Sequence, residues 1–174
     1  MTITTDIATR LKLVVLDVDG VMTDGAVTYC SDGHECKTFN IKDGLGIKML
    51  QRAGIRVAII TGRQSTMVER RASELGIDDV IMGREDKLQA LTEITERKGL
   101  SLGEVAYMGD DLPDLAAISR CGLGACPADA VAEVRQAADW IASNPGGQGA
   151  VREWADALLA ARQQWHTITT PFAP

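Results

Sequence analysis

This chain of 174 residues has few histidines, and its cysteines lack the spacings of common reactive or metal-binding motifs. Only two histidines, His34 and His166, are present, so a Ser-His-Asp triad or phosphohistidine chemistry has little material. The four cysteines form no C-x-x-C pair, and none precedes an arginine at the spacing of the cysteine-phosphatase loop. That pattern argues against a zinc site or a disulfide framework. We interpret the four cysteines as reduced, small hydrophobic residues; they are Cys30, Cys36, Cys121 and Cys126.

Long apolar runs and an excess of basic charge are also missing. No segment approaches the roughly 20 apolar residues of a membrane span. The N-terminal residues lack the pattern of a secretory signal, which makes the cytoplasm the expected location. The 24 acidic residues outnumber 18 lysines and arginines, and the resulting charge of -6 repels nucleic acid and anionic lipid. The sequence therefore predicts neither a nucleic-acid partner nor a membrane partner.

The chain does contain the alternating pattern of an α/β protein. With 45% apolar residues and the length of one ordinary domain, residues 1–174 are expected to form a single domain. Short apolar segments recur between helical patterns, which predicts a parallel, Rossmann-like sheet flanked by helices. The predicted strands cover residues Leu13–Leu16, Arg56–Ile60, 80–82, Val105–Met108 and 123–125.

Capping residues and periodicity predict four helices. Asp43 is the expected N-cap of the first, which runs to Ala53, and the others cover residues 65–75, Lys87–Lys98 and 150–165. Before the first helix, residues 26–41 alternate β-forming side chains around the turn Ser31-Asp32-Gly33, which predicts a projecting two-stranded flap. Residues 166–174 contain two prolines and no periodicity, so an extended C-terminal tail is expected.

Two acidic clusters each follow a predicted strand. Asp17 and Asp19 follow the first strand, and the run from Asp110 through Asp111 to Asp114 follows another. Strand ends of a parallel sheet meet at one edge, so these carboxylates should converge. Like charges raise each other's pKa unless a cation lies between them, and an all-oxygen set favours Mg²⁺. A calcium loop is the competing interpretation, but neither cluster has its alternating ligand spacing.

Two further strand ends carry groups suited to phosphate. Thr61-Gly62-Arg63 offers a hydroxyl, a flexible backbone amide and a fixed cation, although a helix cap with a surface arginine is the plain alternative. Lys87 begins a helix and can point to the same edge, although a helix-surface lysine is an equally ordinary assignment. In this order, the acidic clusters, Thr61 and Lys87 resemble the motifs of the haloacid dehalogenase superfamily of phosphatases.

A longer stretch resembles the 3-deoxy-D-manno-octulosonate 8-phosphate (KDO 8-phosphate) phosphatase family. The likeness runs from about Leu13 to Leu159 and is carried by DVDGVMTDG, FNIKDGLGIKML, AIITGRQS, DKLQAL, YMGDDLPDL, CPADA and GGQGAVRE. It implies a phosphoric monoester hydrolase that uses Mg²⁺ and acts on a sugar acid phosphate in lipopolysaccharide precursor synthesis. The gaps between motifs leave no room for a cap domain, which matches the capless subclass of the superfamily.

The resemblance implies roles for the motif residues. Asp17 is the expected nucleophile, forming an aspartyl phosphate, and Asp19 the expected general acid and base. Thr61 and Lys87 are expected to hold the phosphoryl oxygens. The implied metal ligands are Asp17, the backbone carbonyl of Asp19 and Asp110, supported by Asp111 and Asp114.

The resemblance also implies a set of substrate contacts and an assembly. Lys48 stands where these enzymes commonly carry arginine, and a solvated helix face is the plain alternative for Arg71. Arg152 either serves a neighbouring site or anchors its own helix. A homotetramer is implied, with associating flaps and C-terminal segments that reach neighbouring sites. The implied substrate contacts are Asp19, Asn40, Ile41, Lys42, Asp43, Gly44, Lys48, Arg63, Arg71 and Lys87.

Three other functions stay open at this point. Within the same chemistry, a phosphatase for a nine-carbon, sialic-type sugar acid 9-phosphate has similar requirements. A phosphomutase is less favoured, because reorienting a sugar bisphosphate is difficult without a closing cap. A non-catalytic regulatory or assembly module would keep the fold, but it has no chemical need for the intact pair of Asp17 and Asp19.

Overall fold

The computed structural model describes residues 2–32 and 35–172. Six strands form a parallel sheet and two form an antiparallel hairpin. In chain order the strands are β1 (Leu13–Leu16), β2 (Thr28–Tyr29), β3 (Glu35–Cys36), β4 (Arg56–Ile60), β5 (Asp79–Ile81), β6 (Val105–Met108), β7 (Leu123–Cys126) and β8 (Trp140–Ile141). The parallel sheet has the order β5-β4-β1-β6-β7-β8, so β1 and its neighbours lie at its centre. The predicted α/β fold class is confirmed.

Helices cover both faces of this sheet. In chain order the helices are α1 (Thr5–Arg10), α2 (Ile41–Arg52), α3 (Thr66–Leu75), α4 (Lys87–Lys98), α5 (Leu115–Arg120), α6 (Ala132–Ala137), α7 (Ala150–Ala161) and α8 (Trp165–Thr169). One apolar core cluster includes residues of α1, α2, α3 and α7, and a second includes residues of α4, α5 and α6. Among the described residues, none of the helices is long and apolar enough to cross a bilayer.

Strand β1 is buried on both sides, which explains its uninterrupted apolar sequence. Alternate side chains point to opposite faces, so Val14 joins the cluster that contains Trp154, whereas Val15 joins the cluster that contains Leu91. Parallel pairing with β4 on one side and β6 on the other fixes the register, with Leu16 opposite Ile59 and Met108. The strand therefore delivers the residue that follows it to the middle of the sheet edge.

The predicted N-cap of α2 was wrong. Asn40 caps the helix, and its side-chain oxygen accepts the N–H of Lys42 at 2.8 Å. Asp43 instead lies buried in the first turn, where its carboxylate accepts the backbone N–H of Arg152 at 2.8 Å. Asn and Asp are both strong N-caps, and the contact with α7 determines which of the two takes that role.

The predicted extended tail was also wrong. Helix α7 ends at Ala161, and Gln163 turns the chain with φ of 58° before α8 begins at Trp165. The hydroxyls of Thr169 and Thr170 donate to carbonyls one turn earlier, at 2.9 and 2.7 Å, and Trp165 packs against the core. A short 3₁₀ turn follows at Thr170–Phe172; residues 173–174 of the predicted tail lie outside the described part.

The predicted flap is present as the hairpin of β2 and β3. Thr28 pairs with Cys36, and Tyr29 pairs with Glu35; Gly33 of the predicted turn lies outside the described residues. All four cysteines are free thiols. Cys126 is buried, as a small hydrophobic residue should be, but Cys36 is exposed on the hairpin.

Candidate active site

The carboxyl ends of β4, β1 and β6, which are neighbours in the sheet, bring three predicted groups to one edge, and the start of α4 adds a fourth. Asp17 follows β1, Thr61 follows β4, Asp110 comes soon after β6, and Lys87 is the first residue of α4. All four line one cavity of about 290 Å³. Its wall is completed by Asp19, Gly25, Gly62, Arg63, Glu85, Asp111, Pro113 and Asp114.

Lys87 lines the cavity and is only 3% exposed. Its Nζ donates to Asp17 Oδ1 at 2.6 Å, to the carbonyl oxygen of Ile60 at 3.1 Å and to Asp114 Oδ1 at 3.3 Å. Burial alone lowers the pKa of a lysine, but the carboxylates of Asp17 and Asp114 outweigh it and raise the pKa of Lys87. The lysine therefore stays a cation inside the protein.

Asp114 supports this lysine rather than facing the cavity with a free oxygen. Its Oδ1 also accepts the hydroxyl of Tyr107 at 2.6 Å, and its Oδ2 accepts the backbone N–H groups of Asp110 and Asp111 at 3.1 and 3.3 Å. Tyr107, which lies in β6, is a buried partner that sequence reasoning missed. Its place in an apolar strand gave no signal, since only the fold brings its hydroxyl to Asp114.

The carboxylates of Asp17 and Asp110 have too few cationic partners to offset their burial. Burial, then the charge of Asp114, raises the pKa of Asp17 to about 7, although Lys87 opposes the shift. Burial, then the charge of Asp17, raises the pKa of Asp110 to about 8. One oxygen of Asp110 is buried without a hydrogen-bond partner, and oxygens of Asp17, Asp110 and Asp114 lie within 4.8 Å of one another. Such an oxygen-only cluster fits a hard divalent cation such as Mg²⁺.

The raised pKa values predict that the metal-free protein loses stability as the pH rises. Between about pH 4 and pH 8 the folded state binds more protons than the unfolded chain, because Asp17 titrates near 7 and Asp110 near 8. We expect the melting temperature of chelator-treated protein to fall from pH 6 to pH 9. Asp110→Asn should flatten that fall, and added Mg²⁺ should raise the melting temperature more at pH 9 than at pH 6. Parallel pH profiles for wild type and variant would contradict this account.

Gly20 shapes the space in which Asp110 lies. It adopts φ of 90°, and a Cβ built there would overlap the Asp110 carboxylate. We expect Gly20→Ala to displace that carboxylate and to weaken Mg²⁺ binding by about 10- to 100-fold, as losses around a metal site do. Titration calorimetry with Mg²⁺ measures the change.

Gly25→Ala is the matched control for this substitution. Gly25 also has a positive φ, of 74°, but a Cβ there meets only the backbone of Gly20 at 3.5 Å, an ordinary contact. Both variants carry the same kind of backbone cost, so a difference between them isolates the contact with Asp110. Equal Mg²⁺ affinities in the two variants would contradict the assignment.

The hairpin reaches the other side of the cavity. Lys37, just after β3, forms an ion pair with the carboxylate of Asp19, and Glu35 accepts a hydrogen bond from Arg63 at 2.9 Å. Sequence reasoning missed both hairpin residues, although the alternation of side chains along a strand puts positions 35 and 37 on one face. Thr61 is buried, and its hydroxyl oxygen accepts the backbone N–H of Arg63 at 3.3 Å.

The other predicted substrate contacts lie on α2 and α3, outside the wall of this cavity, and stay predictions. Asn40 donates to the carbonyl oxygen of Gly147 at 3.3 Å, and Arg71 donates to that of Asn40 at 3.3 Å. The Arg71 side chain is only 18% exposed, so it is not a solvated helix face. Arg152 pairs with Asp156 of its own helix at 2.7 Å. This group comprises Asn40, Ile41, Lys42, Asp43, Gly44, Lys48 and Arg71.

Comparison with known proteins agrees with this geometry. Residues 43–122 match the haloacid dehalogenase-like hydrolase family. The 3-deoxy-D-manno-octulosonate 8-phosphate phosphatase of Haemophilus influenzae is 42% identical over 153 residues, covering 88% of this chain and 85% of that protein. The chain belongs to the 3-deoxy-D-manno-octulosonate 8-phosphate phosphatase family. Another member, from Escherichia coli K12, is 41% identical over 155 residues, covering 89% of this chain and 82% of that protein.

Solved structures of this phosphatase family have the same fold. The phosphatase from Moraxella catarrhalis, in complex with a magnesium ion, a phosphate ion and a KDO molecule, superposes with a TM-score of 0.95 at 43% identity, covering 97% of each chain. The cobalt-bound phosphatase from Haemophilus influenzae superposes with a TM-score of 0.89 at 40% identity, covering 92% of this chain and 94% of that one.

Proposed function

We propose that the protein is a Mg²⁺-dependent phosphatase that hydrolyses 3-deoxy-D-manno-octulosonate 8-phosphate to KDO and phosphate, a step in lipopolysaccharide precursor synthesis. The observation that carries the proposal is the position of Asp17. It lies at the centre of the sheet edge, with one oxygen held by Lys87 and with Asp110 beside it. Membership of the phosphatase family supplies the substrate class.

The chain supplies a nucleophile and a group that moves protons. Asp17 attacks phosphorus and forms an aspartyl phosphate, while Asp19 gives a proton to the departing sugar oxygen. Asp19 then takes a proton from the water that attacks the phosphorus of this intermediate, which returns Asp17 as a carboxylate. Lys87 fixes the orientation of Asp17 through the 2.6 Å contact, so the oxygen that does not bind Lys87 is the one available for attack.

Charge neutralisation at the phosphoryl group comes from several sources. Thr61 and Lys87 are the groups that we assign to the phosphoryl oxygens, since both line the cavity beside Asp17. Mg²⁺ would be held by Asp17, the backbone carbonyl of Asp19 and Asp110, and it would offset the repulsion between Asp17 and the phosphate. Asp111, at the cavity rim, is assigned to metal-bound water.

We further propose a homotetramer and a cytoplasmic location. Apolar residues are exposed on the hairpin and at the start of α2, where Tyr29 is 77% and Ile41 is 82% exposed. Such a surface suits association of the flaps. In the described residues between β1 and β4, the regular secondary structure consists of the hairpin and α2, which supports the proposal of a capless enzyme. Light scattering coupled to size exclusion measures the subunit number, and fractionation of the source cells measures the location.

The substrate is tested by a screen of phosphorylated sugars and sugar acids with Mg²⁺ present. We expect the highest kcat/KM on the eight-carbon KDO 8-phosphate and a lower value on a nine-carbon, sialic-type sugar acid 9-phosphate. A higher value on the nine-carbon substrate would reassign the substrate but keep the chemistry. Absence of phosphate release from all of these compounds would contradict the proposed function and favour a non-catalytic module.

A further inference from the structure

One cation from the hairpin is buried against the proposed general acid and base. The Lys37 side chain is only 2% exposed, and its ammonium forms an ion pair with the Asp19 carboxylate. Lys37 does not line the cavity itself. It contacts the cavity wall through Asp19, and its ammonium also lies 3.9 Å from Glu35.

The cations of the site are divided among its carboxylates. Lys87 contacts Asp17 and Asp114. Lys37 contacts Asp19 and, at 3.9 Å, Glu35, whereas Asp110 retains a buried oxygen without a partner. Asp19 is consequently drawn towards the hairpin and is not part of the cluster formed by Asp17, Asp110 and Asp114. Without this contact, a carboxylate with free rotation would lie beside a divalent-cation site.

We propose that Lys37 is a positioning residue that holds the Asp19 carboxylate on the hairpin side of the cavity, where the sugar oxygen leaves. The inference rests on the proposed function of Asp19. In this role the hairpin orients the group that transfers protons. Glu35 accepts a hydrogen bond from Arg63 at 2.9 Å and lies 3.9 Å from the Lys37 ammonium, so Lys37 links Asp19 to a second carboxylate, on the hairpin.

The test compares Lys37→Met and Lys37→Arg with Thr28→Ala, a change at an exposed hairpin residue, as the control. For Lys37→Met we expect kcat on the sugar acid phosphate to fall by about 100-fold, within the range for proton-transfer catalysis, with KM nearly unchanged. Lys37→Arg should recover part of kcat, because it keeps the cation. Thr28→Ala should leave kcat and KM nearly unchanged. Circular dichroism and melting temperatures establish that the variants are folded. If Lys37→Met does not fold, Lys37→Gln takes its place.

A second substrate separates positioning from a structural role. p-Nitrophenyl phosphate has a leaving group that needs little proton donation. The rate of nitrophenol release in the first turnover of Lys37→Met should therefore approach the wild-type rate. Hydrolysis of the phosphoenzyme should be slow, which gives a burst of nitrophenol. Equal losses on both substrates in the first turnover, or a rise in KM with kcat intact, would overturn the proposal. If the proposed function itself is wrong, the wild-type enzyme will not hydrolyse sugar acid phosphates, and this result is distinct from any effect of the Lys37 variants.

The opposite face of the hairpin carries a second, independent feature. The Sγ atoms of Cys30 and Cys36 lie 3.6 Å apart, Cys36 is exposed and Cys30 is half-buried. Because side chains alternate along β3, Cys36 faces away from the side on which Glu35 and Lys37 reach the site. This distance is longer than the ~2.05 Å of a disulfide bond. A small movement of the two side chains would bring the sulfurs to bonding distance.

We infer that Cys30 and Cys36 form a dithiol site for disulfide exchange with glutathione disulfide or a similar small disulfide. One thiolate attacks the reagent and releases one glutathione thiolate. The other cysteine thiolate then displaces the second glutathione and closes the protein disulfide. The two protein thiols are oxidised, and one glutathione disulfide is reduced to two glutathione molecules.

Mass spectrometry of the full chain incubated with glutathione disulfide tests this second inference. We expect loss of two hydrogens, with a peptide cross-link between Cys30 and Cys36, reversed by dithiothreitol. Cys30→Ser and Cys36→Ser should each stop at a glutathione adduct, whereas Cys126→Ser, which removes a buried thiol, should behave as wild type. A wild-type product that carries only glutathione adducts, or no reaction at either cysteine, would overturn the assignment.

Discussion

Asp17→Asn is expected to lower kcat by about 10⁴-fold or more while the protein stays folded. The substitution removes the only oxygen that the account assigns to attack on phosphorus, and loss of a nucleophile has effects of this order. Folding should not suffer, because burial already raises the pKa of Asp17 to about 7, so ionisation of this carboxyl opposes folding at higher pH. The melting temperature of the metal-free variant at pH 8 should equal or exceed that of wild type.

Asp24→Asn is the control for this experiment. Asp24 lies in the exposed loop that follows β1, so the change removes one negative charge near the site without touching Asp17. It should retain nearly all of the wild-type kcat. Turnover by Asp17→Asn within about tenfold of wild type, a difference of about 1.4 kcal/mol in barrier, would contradict the assignment of the nucleophile.

Lys87→Met should affect stability and activity together. It leaves Asp17 and Asp114 buried without the ammonium that contacts both, at 2.6 and 3.3 Å. Removing one partner of a buried ion pair costs about 3–5 kcal/mol of unfolding free energy, and kcat should fall at least about 100-fold through lost charge stabilisation. The stability loss should shrink as the pH falls towards 5, because protonation of Asp17 removes the uncompensated charge.

Denaturant titrations at pH 8 and pH 5 measure this effect, with Lys12→Met as control. Lys12 is an exposed lysine next to β1, so its replacement should change the unfolding free energy by less than about 0.5 kcal/mol. A Lys87→Met loss that is independent of pH, or no larger than that of Lys12→Met, would show that the ammonium does not compensate the buried carboxylates.

The parts of the fold that sequence predicts well are those set by short-range pattern. Strands β1, β4 and β6 are uninterrupted apolar runs ended by Asp17, Thr61 and Gly109, and their observed bounds are the predicted ones. Because parallel strands share a carboxyl edge, predicting these strands also predicts that Asp17, Thr61 and Asp110 converge. The C-terminal ends of α3 and α4 were equally predictable from the sequence, because each helix ends at a glycine in the left-handed conformation, Gly76 and Gly99.

The parts that sequence did not predict depend on contacts between distant segments. Asn40 and Asp43 are both good helix caps, and the contact of Asp43 with Arg152 determines which one is used. The alternating pattern of residues 26–41 predicts the hairpin that contains Lys37, but only the folded hairpin brings this lysine to Asp19. Strand β8, with two residues, and helix α1, with six, are too short for a periodicity signal and were not predicted.

Trapping a phosphorylated form of the enzyme is the decisive experiment for Asp17 as the nucleophile. Wild-type enzyme mixed with the sugar acid phosphate and Mg²⁺, then quenched in acid within the first turnover, should contain one phosphoryl group on the peptide that includes Asp17. Chelator should abolish its formation, and Asp17→Asn should not form it. Phosphate release without any phosphorylated protein at any quench time, or a phosphoryl group on another residue, would contradict the account.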